Sequence, residues 1–489
     1  MRSSVLVDGE RSREFNIDQG VKQGAILSPL LYSLFVNDVA KDLEEQGLGV
    51  RHEGKWAGIM LYADDIVLLA NDGPELQKMI DVLVNFSHKW RYHLHPDKSE
   101  VMVIGTAPKK RTWKLNGTDM KTVTSFKYLG VDIQRTGNWN ELFKRMIRRA
   151  HHRTDMLVGM GMRAHTYSVE TAAHLWQALV APLLEYGAAV CEPTSKVVTA
   201  VETEQARAAK TILGCEAKTA GEAVRGELGW LSMRARRVIH KLRFFRHLAT
   251  MDKKRIVYHI FRTRYDATMR GDAVGWCGET RDLLGTHGLG EWWHTYNWRG
   301  FPSKSKWDEL VAAAVLSREE DRRNAAMHDR SSLEWYRTHN TTLEMANHLK
   351  GDVWGSKGTV LRTQLRCGMH NLRVCTGKRE RPRLDDRSLR TCLTCNTKAV
   401  EDIPHFLLDC GAIESSRRRM WADIRAWFAE NDADNLATVM SLPPTYGVTF
   451  LLGGNVGLPL HHAVNRIVQA GVLEMMEHRR TIQTPSVRG

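Results

Sequence analysis

The sequence predicts an α+β protein with its strands at the front and its helices behind. Three observations carry this. Short apolar runs separated by turn dipeptides crowd the chain up to about residue 135. Beyond about residue 138, long stretches place apolar residues three and four apart, the period of an amphipathic helix. Near residue 400, Cys392, Cys395, His405 and Cys410 lie close together, which marks a small metal-binding module.

The elements follow in order. Residues 5–17 predict a β-hairpin around Asp8-Gly9, a strong turn dipeptide. Ser28-Pro29 reads as an N-cap followed by proline at the first helical position. Leu30, Leu31, Leu34, Phe35, Val39 and Leu43 then keep helical spacing to near Glu45, ahead of Gly47. Residues 58–70 are two apolar runs around a polar centre, a buried hairpin with two carboxylates at its tip. Residues 73–93 return to helical spacing, and 99–104 and 126–133 read as strands. Helices are expected over 139–160, 168–191, 196–213 and 230–251, then at 412–430 and 461–479. Residues 265–305, rich in glycine and tryptophan, yield no assignment, and 377–389 form a charged connector. There is no internal repeat and no low-complexity tract.

Composition narrows the function. The 489-residue chain carries a formal net charge of +14. That excess suggests a polyanionic partner. Eight cysteines do not make a secreted disulfide scaffold at this length. The first residues lack an apolar signal-peptide core, and no stretch reaches the ~18 continuous apolar residues of a membrane helix. The most apolar segment, Ala173 to Cys191, is broken by Gln177, Pro182 and Glu185 and reads as a pair of core helices. An intracellular protein, nuclear or cytoplasmic, is expected.

The sharpest chemical signal is Tyr62-Ala63-Asp64-Asp65. Adjacent carboxylates in a dry place repel and resist desolvation, so a cation is the usual remedy. Oxygen donors suit Mg²⁺, which keeps several waters and also takes substrate phosphates. A pair of such ions stabilises both the attacking and the leaving oxygen of a phosphoryl transfer. The alternative is a solvated Asp-Asp turn. The flanking MLY and IVLLA are too apolar for an exposed tip.

Four segments in order resemble reverse transcriptases of the non-LTR retrotransposon (LINE-like) kind. Gly20 to Leu31 is similar to that family's QGxxLSPLL motif, and Tyr62 to Asp65 to its YxDD motif, with the family's gap of about 30 residues between them. His95 to Glu100 resembles the segment holding a lysine beside the incoming triphosphate. Phe126 to Gly130 resembles the primer grip. The resemblance implies that Asp64 is the principal Mg²⁺ ligand and Asp65 a weaker one. Gln23, Gly24 and Tyr62 would line the site for nucleotide and template. Lys98 would neutralise, or donate a proton to, the leaving pyrophosphate. Tyr128, Leu129 and Gly130 would hold the primer end. Gly24 is expected to admit a close approach of backbone to substrate.

The family also carries an aspartate on an earlier strand. The chain begins 22 residues before Gln23, and its aspartates there, Asp8 and Asp18, do not end an apolar strand. The expectation is a partial palm over 1–135 without fingers or first palm strand, weak or inactive in polymerisation alone. A thumb-like helical region follows at 136–255, with a segment at 181–187 and another at 226–231 that resemble LINE-like elements. Its basic groups are Lys144, Arg145, Arg148, Arg149 and Arg153, then Arg234, Arg236, Arg237, Lys241, Arg243 and Arg246. Spaced three or four apart, they suit a helical face tracking phosphates. A mostly helical connector covers 256–385.

Cys392-x₂-Cys395-x₉-His405-x₄-Cys410 supplies three thiolates and an imidazole, the donor set of a closed structural Zn²⁺ site. It resembles the CCHC finger of non-LTR elements, including the HFLLDC stretch, and defines a module at 386–430 before a helical tail at 431–489. Cys367, His370 and Cys375 offer three donors without a fourth. Lys378, Arg379, Arg381 and Arg383, then Arg417, Arg418 and Arg419, with Trp421 and Trp427 beyond, suit contacts to RNA or single-stranded DNA. Both tryptophans read better as core. The implied function is RNA-directed DNA synthesis with Mg²⁺, dNTPs, an RNA template and a DNA primer or target. The rival is a non-catalytic remnant that binds nucleic acid.

Overall fold

The computed structural model describes residues 2–16, 24–105, 111–164, 166–272, 275–294, 300–328, 330–340, 342–351, 356–458 and 461–483. It is mixed α/β, and its contacts group into two units: Met1–Asn138 with Leu248–Ala273, and Trp139–His247 with Val274–Gly489. No helix among the described residues is long and apolar enough to cross a membrane.

The strands lie in the first unit, and every sheet among the described residues is a two-stranded ribbon. Leu6–Val7 pairs with Glu10–Arg11 around Asp8 (φ 48°) and Gly9 (φ 86°), the left-handed pair that the Asp-Gly dipeptide favours. Ile59–Tyr62 pairs antiparallel with Asp65–Leu68 in the register Tyr62↔Asp65, which leaves Ala63 and Asp64 as the connecting residues. The stretch 126–133 is not one strand. Ser125–Tyr128 folds back on Val131–Gln134, because Leu129 and Gly130 both take positive φ and reverse the chain.

Two helices back the Ile59–Leu68 hairpin. The helix Ser28–Glu45 starts one residue earlier than its sequence suggests: Leu27 is the N-cap and makes no side-chain cap bond. The helix Gly73–Trp90 is capped by Asp72, whose side chain accepts from the Glu75 amide. Val39, Leu83 and Phe86 form the core between them, with Ile59, Ile66 and Leu68 of the hairpin packed against it. The first turns of the expected apolar stripe do not reach that core. Leu30, Leu31 and Leu34 are more than half exposed. The helix Ile256–Met269 folds with this unit, where His52 Nε2 lies 2.9 Å from Thr263 Oγ1.

The second unit is helical. Asn140–Gly159 and Ser195–Leu213 match their predicted spans, and 168–191 splits into Val169–Leu179 and Ala181–Glu185, with Pro182 at the start of the second piece. Trp176, stacked on Trp230 at 4.5 Å, sits at the centre of one core. A second core joins the cysteine segment to the last helices: Phe406, Leu407 and Ile413 pack with Met420, Ile424, Phe428, Val464, Val468 and Val472. Glu227, fully buried, ties these cores through a charge-assisted fork from Arg366 at 2.9 to 3.0 Å.

Candidate active site and metal centre

The carboxylate turn is held from behind and open in front. Leu61 and Ile66 face the helices, while Tyr62, Ala63, Asp64 and Asp65 are exposed, Tyr62 to 62%. The expectation of a buried tip is therefore corrected. The apolar flanks bury one face of the hairpin, and the alternation of a pleated strand turns the other face and the turn outward. Ala63 sits at φ 48°, a left-handed conformation uncommon outside glycine, asparagine and aspartate.

Two tyrosines flank the carboxylates. Tyr32, on the first helix, has its phenol raised by burial and, next, by the charge of Asp64. Tyr128, at the end of its strand, is raised by burial and then by Asp65. The fold thus brings Tyr128, Asp64 and Asp65 into one neighbourhood, and adds Tyr32, which the sequence reading did not single out. Its signal was its place just after Leu30-Leu31, where helical phase turns it toward the hairpin. Behind it, Tyr92 is pushed up to about 12 by burial and then by Tyr32, and its hydroxyl has no partner among the described residues.

The other candidates lie as follows. Gln23 lies outside the described residues. Gly24 is exposed, its φ of 80° favours glycine, and among the described residues a Cβ there meets nothing within 4 Å. Lys98 ends the short 3₁₀ turn Pro96–Lys98 and is exposed, with no ion pair among the described residues. Among the described residues, no third carboxylate joins Asp64 and Asp65 in a group able to hold a metal.

The cysteine cluster is different in kind. Cys392 Sγ lies 4.0 Å from Cys410 Sγ, Cys395 Sγ lies 3.4 Å from His405 Nε2, and all four ligand atoms fall within 4.8 Å of one another. Tetrahedral zinc with Zn–S near 2.3 Å spaces its sulfurs about 3.8 Å apart, so the donors fit. Cys392 and Cys395 sit on a tight turn closed by the Thr391↔Val400 bridge and by the Cys392 amide donating to Ala399 at 2.8 Å. The Thr394 amide points at Cys392 Sγ at 3.4 Å. His405 opens the short helical turn His405–Asp409, and the Cys410 amide donates back to the His405 carbonyl at 2.7 Å. Burial first, then the neighbouring thiols, pushes the Cys410 thiol up to about 12. Cys375 Sγ lies 3.5 Å from His370 Nε2, but Cys367, His370 and Cys375 form no metal-holding group among the described residues.

The two basic runs part company. On Asn140–Gly159, Arg148 and Arg149 are exposed and unpaired among the described residues. On Met233–Ala249 most of the cations are occupied. Arg236 pairs with Glu185, Lys241 is 3% exposed between Glu192 and Glu279, Arg243 meets Asp308, and Arg246 donates to the Pro302 carbonyl. Much of that basic run is therefore engaged in contacts within the chain.

Comparison with known proteins places the front of the chain. Residues 1–133 match the family described as reverse transcriptase (RNA-dependent DNA polymerase). The chain is 28% identical over 194 residues to the RNA-directed DNA polymerase from mobile element jockey of Drosophila funebris, covering 37% of this chain and 20% of that protein. It is 29% identical over 145 residues to the retrovirus-related Pol polyprotein from type-2 retrotransposable element R2DM of Drosophila melanogaster, covering 28% and 14%. It is 26% identical over 219 residues to the probable RNA-directed DNA polymerase from transposon BS of the same species, covering 43% and 24%. The chain spans no more than about a quarter of the length of any of these three relatives. On these matches residues 1–133 are similar to the reverse transcriptase family, and the chain is similar in sequence to RNA-directed DNA polymerases of non-LTR retrotransposons.

Proposed function

We propose that this chain carries part of the RNA-directed DNA polymerase of a non-LTR retrotransposon, with a partial palm over 1–135, a thumb-like region over 136–255, a connector over 256–385 and a structural zinc module over 386–430. The observation that carries it is the convergence of Asp64, Asp65 and Tyr128, from two separate motifs, within the matched segment. Asp64 and Asp65 are the residues that would hold Mg²⁺, which supplies charge neutralisation to the attacking and leaving oxygens when bound.

Around that chemistry the chain's own residues have defined tasks. Tyr128, Leu129 and Gly130 hold the primer end, so that its 3′ hydroxyl oxygen attacks the α-phosphorus of a deoxynucleoside triphosphate. The bond to the bridging oxygen breaks and pyrophosphate leaves. Lys98 meets the charge that develops on it. Gln23, Gly24 and Tyr62 line the nucleotide and template side. Cys392, Cys395, His405 and Cys410 bind Zn²⁺ as a structural ion. A second reading, nucleic-acid binding without synthesis, is favoured by one observation: the hairpin brings two carboxylates where a two-metal site takes more.

Primer extension on a poly(A) template with Mg²⁺ tests both, comparing the chain with its Asp64→Ala/Asp65→Ala variant. Extension that vanishes in the variant supports the catalytic reading. RNA binding without extension supports the second.

A further inference from the structure

Around the cysteine cluster, two arginines occupy positions that a basic surface does not explain. The first is Arg417. It follows Cys410 by two turns of chain, on the helix Glu414–Asn431, and is half-buried. Its Nη2 donates to the Cys410 carbonyl at 3.1 Å, while its Nη1 is buried with no partner among the described residues. Its neighbours in sequence are spent on surface pairs: Arg418 with Glu414, and Arg419 with Glu474. The arginine triplet is therefore not three equivalent phosphate contacts. The second is Arg479, on the helix His462–Gln483. It is buried and grips Glu401 with two bonds of 2.7 Å, and Glu401 Oε1 lies 3.6 Å from Cys392 Sγ.

A buried donor without an acceptor is destabilising. Here the loaded state supplies the acceptor. Three thiolates and a neutral imidazole around a divalent ion leave one net negative charge. Cys392, His405 and Cys410 are each at most 6% exposed, so solvent does little to offset that charge. Groups outside the ligand shell must do so, and such partners tune both ligand orientation and affinity.

We propose that Arg417 is the charge-compensating positioning residue of this centre, its spare Nη1–H serving the Cys410 thiolate when metal is bound, while the Arg479–Glu401 pair fastens the Cys392 side to the C-terminal helix. This rests on the zinc reading of the cluster. It assigns Arg417 to the metal, not to nucleic acid.

The test uses the full chain with Co²⁺ as a spectroscopic probe and Zn²⁺ affinity by chelator competition. The parent chain takes up one ion with a thiolate-to-cobalt charge-transfer band. Arg417→Gln weakens affinity about 10- to 100-fold and moves the band to longer wavelength, because the sulfur lone pairs lose a stabilising donor. Arg417→Lys keeps the charge but not both N–H contacts, so it loses less than the glutamine variant while still moving the band. Arg418→Gln leaves both readouts at the parent's values. A glutamine variant equal to the parent, or a lysine variant as weak as glutamine, overturns the proposal and leaves the zinc reading standing. A parent chain without the thiolate band removes the zinc reading itself, and the proposal with it. If the glutamine variant does not fold, the lysine variant decides alone: an unmoved band and unchanged affinity overturn the proposal.

Discussion

The carboxylate turn and the cysteine cluster are the two strongest motifs in the sequence, yet the fold treats them in opposite ways. Asp64 and Asp65 stand exposed at a two-residue connection, backed on one face only, in a sheet of two strands. Cys392, Cys395, His405 and Cys410 are drawn together within 4.8 Å, and the residues that separate them fill the core of the C-terminal helices. The difference follows from where the partners lie in the chain. All four metal donors of the cluster fall within one short segment, so a knuckle and one helical turn assemble them. The donors of a two-metal site come from distant strands, and a hairpin alone presents only its own pair. A local motif can be complete as chemistry; a dispersed one is a fragment until other strands join it.

The largest effect that separates the two regions is on stability. Cys410→Ser removes one of the four proposed zinc ligands from a site packed against Phe406, Leu407 and Ile413. Zinc content falls toward zero by metal analysis, and hydrogen exchange rises across 386–483. The loss amounts to several kcal/mol, below the ~10–16 kcal/mol of whole structural sites in small fingers. Asp64→Ala/Asp65→Ala, at an exposed turn, changes stability by about 0.5 kcal/mol or less. A cysteine variant that keeps its zinc would break the contrast.

What could be read in advance follows the same division. The hairpin at 59–68, the helices at 28–45, 140–159 and 195–213 and the Cys/His cluster each depend on neighbours in sequence, and their patterns are legible. Alternation alone ran a strand through Leu129-Gly130, where the family resemblance implied a turn, because Leu129 takes φ 46°, which propensity assigns to glycine or asparagine. The exposure of Asp64 and Asp65 escaped because apolar flanks report that a strand is covered, not which end of it is. The buried pairs Glu227–Arg366 and Glu401–Arg479 join residues 139 and 78 positions apart, and no local signal distinguishes such an arginine from a surface one. The basic run on Met233–Ala249 misled for that reason: its carboxylate partners Glu185, Glu192, Glu279 and Asp308 are scattered across the chain.

Acid sharpens the comparison next, because the second unit holds two buried neutral histidines. His370 is pulled down from 6.5 to about 3 by burial and then by Arg479, with Cys375 against its ring. Burial, then Arg366 and Arg362, pulls His348 well below its ordinary value. Below about pH 6.5 the unfolded chain takes up protons that the folded chain refuses. Stability is therefore full above that pH and falls as the medium is acidified, by about 1.4 kcal/mol per pH unit for each histidine, until its folded value is reached. At pH 5 His370 alone accounts for about 2 kcal/mol. Urea titrations of the parent and His370→Gln at pH 7.5 and 5 isolate this share, since zinc release in acid is common to both. Equal slopes would mean that His370 is protonated in the folded state.

The smallest effect divides the two basic helices. Each lysine or arginine that meets a phosphate releases counterions, so log K falls with log salt by ~0.7–0.9 per contact. Arg148→Ala/Arg149→Ala, both exposed and unpaired among the described residues, lowers that slope by about 1.5 in RNA binding measured over a salt series. Arg243→Ala instead breaks an exposed pair with Asp308, worth about 0–1 kcal/mol, and leaves the slope unchanged. The prediction turns on slope and not on affinity, because a loosened helix weakens binding at every salt concentration alike. If Arg243→Ala flattens the salt response as Arg148→Ala/Arg149→Ala does, the ion pairs on Met233–Ala249 open on RNA, and both helices belong to one phosphate-tracking face.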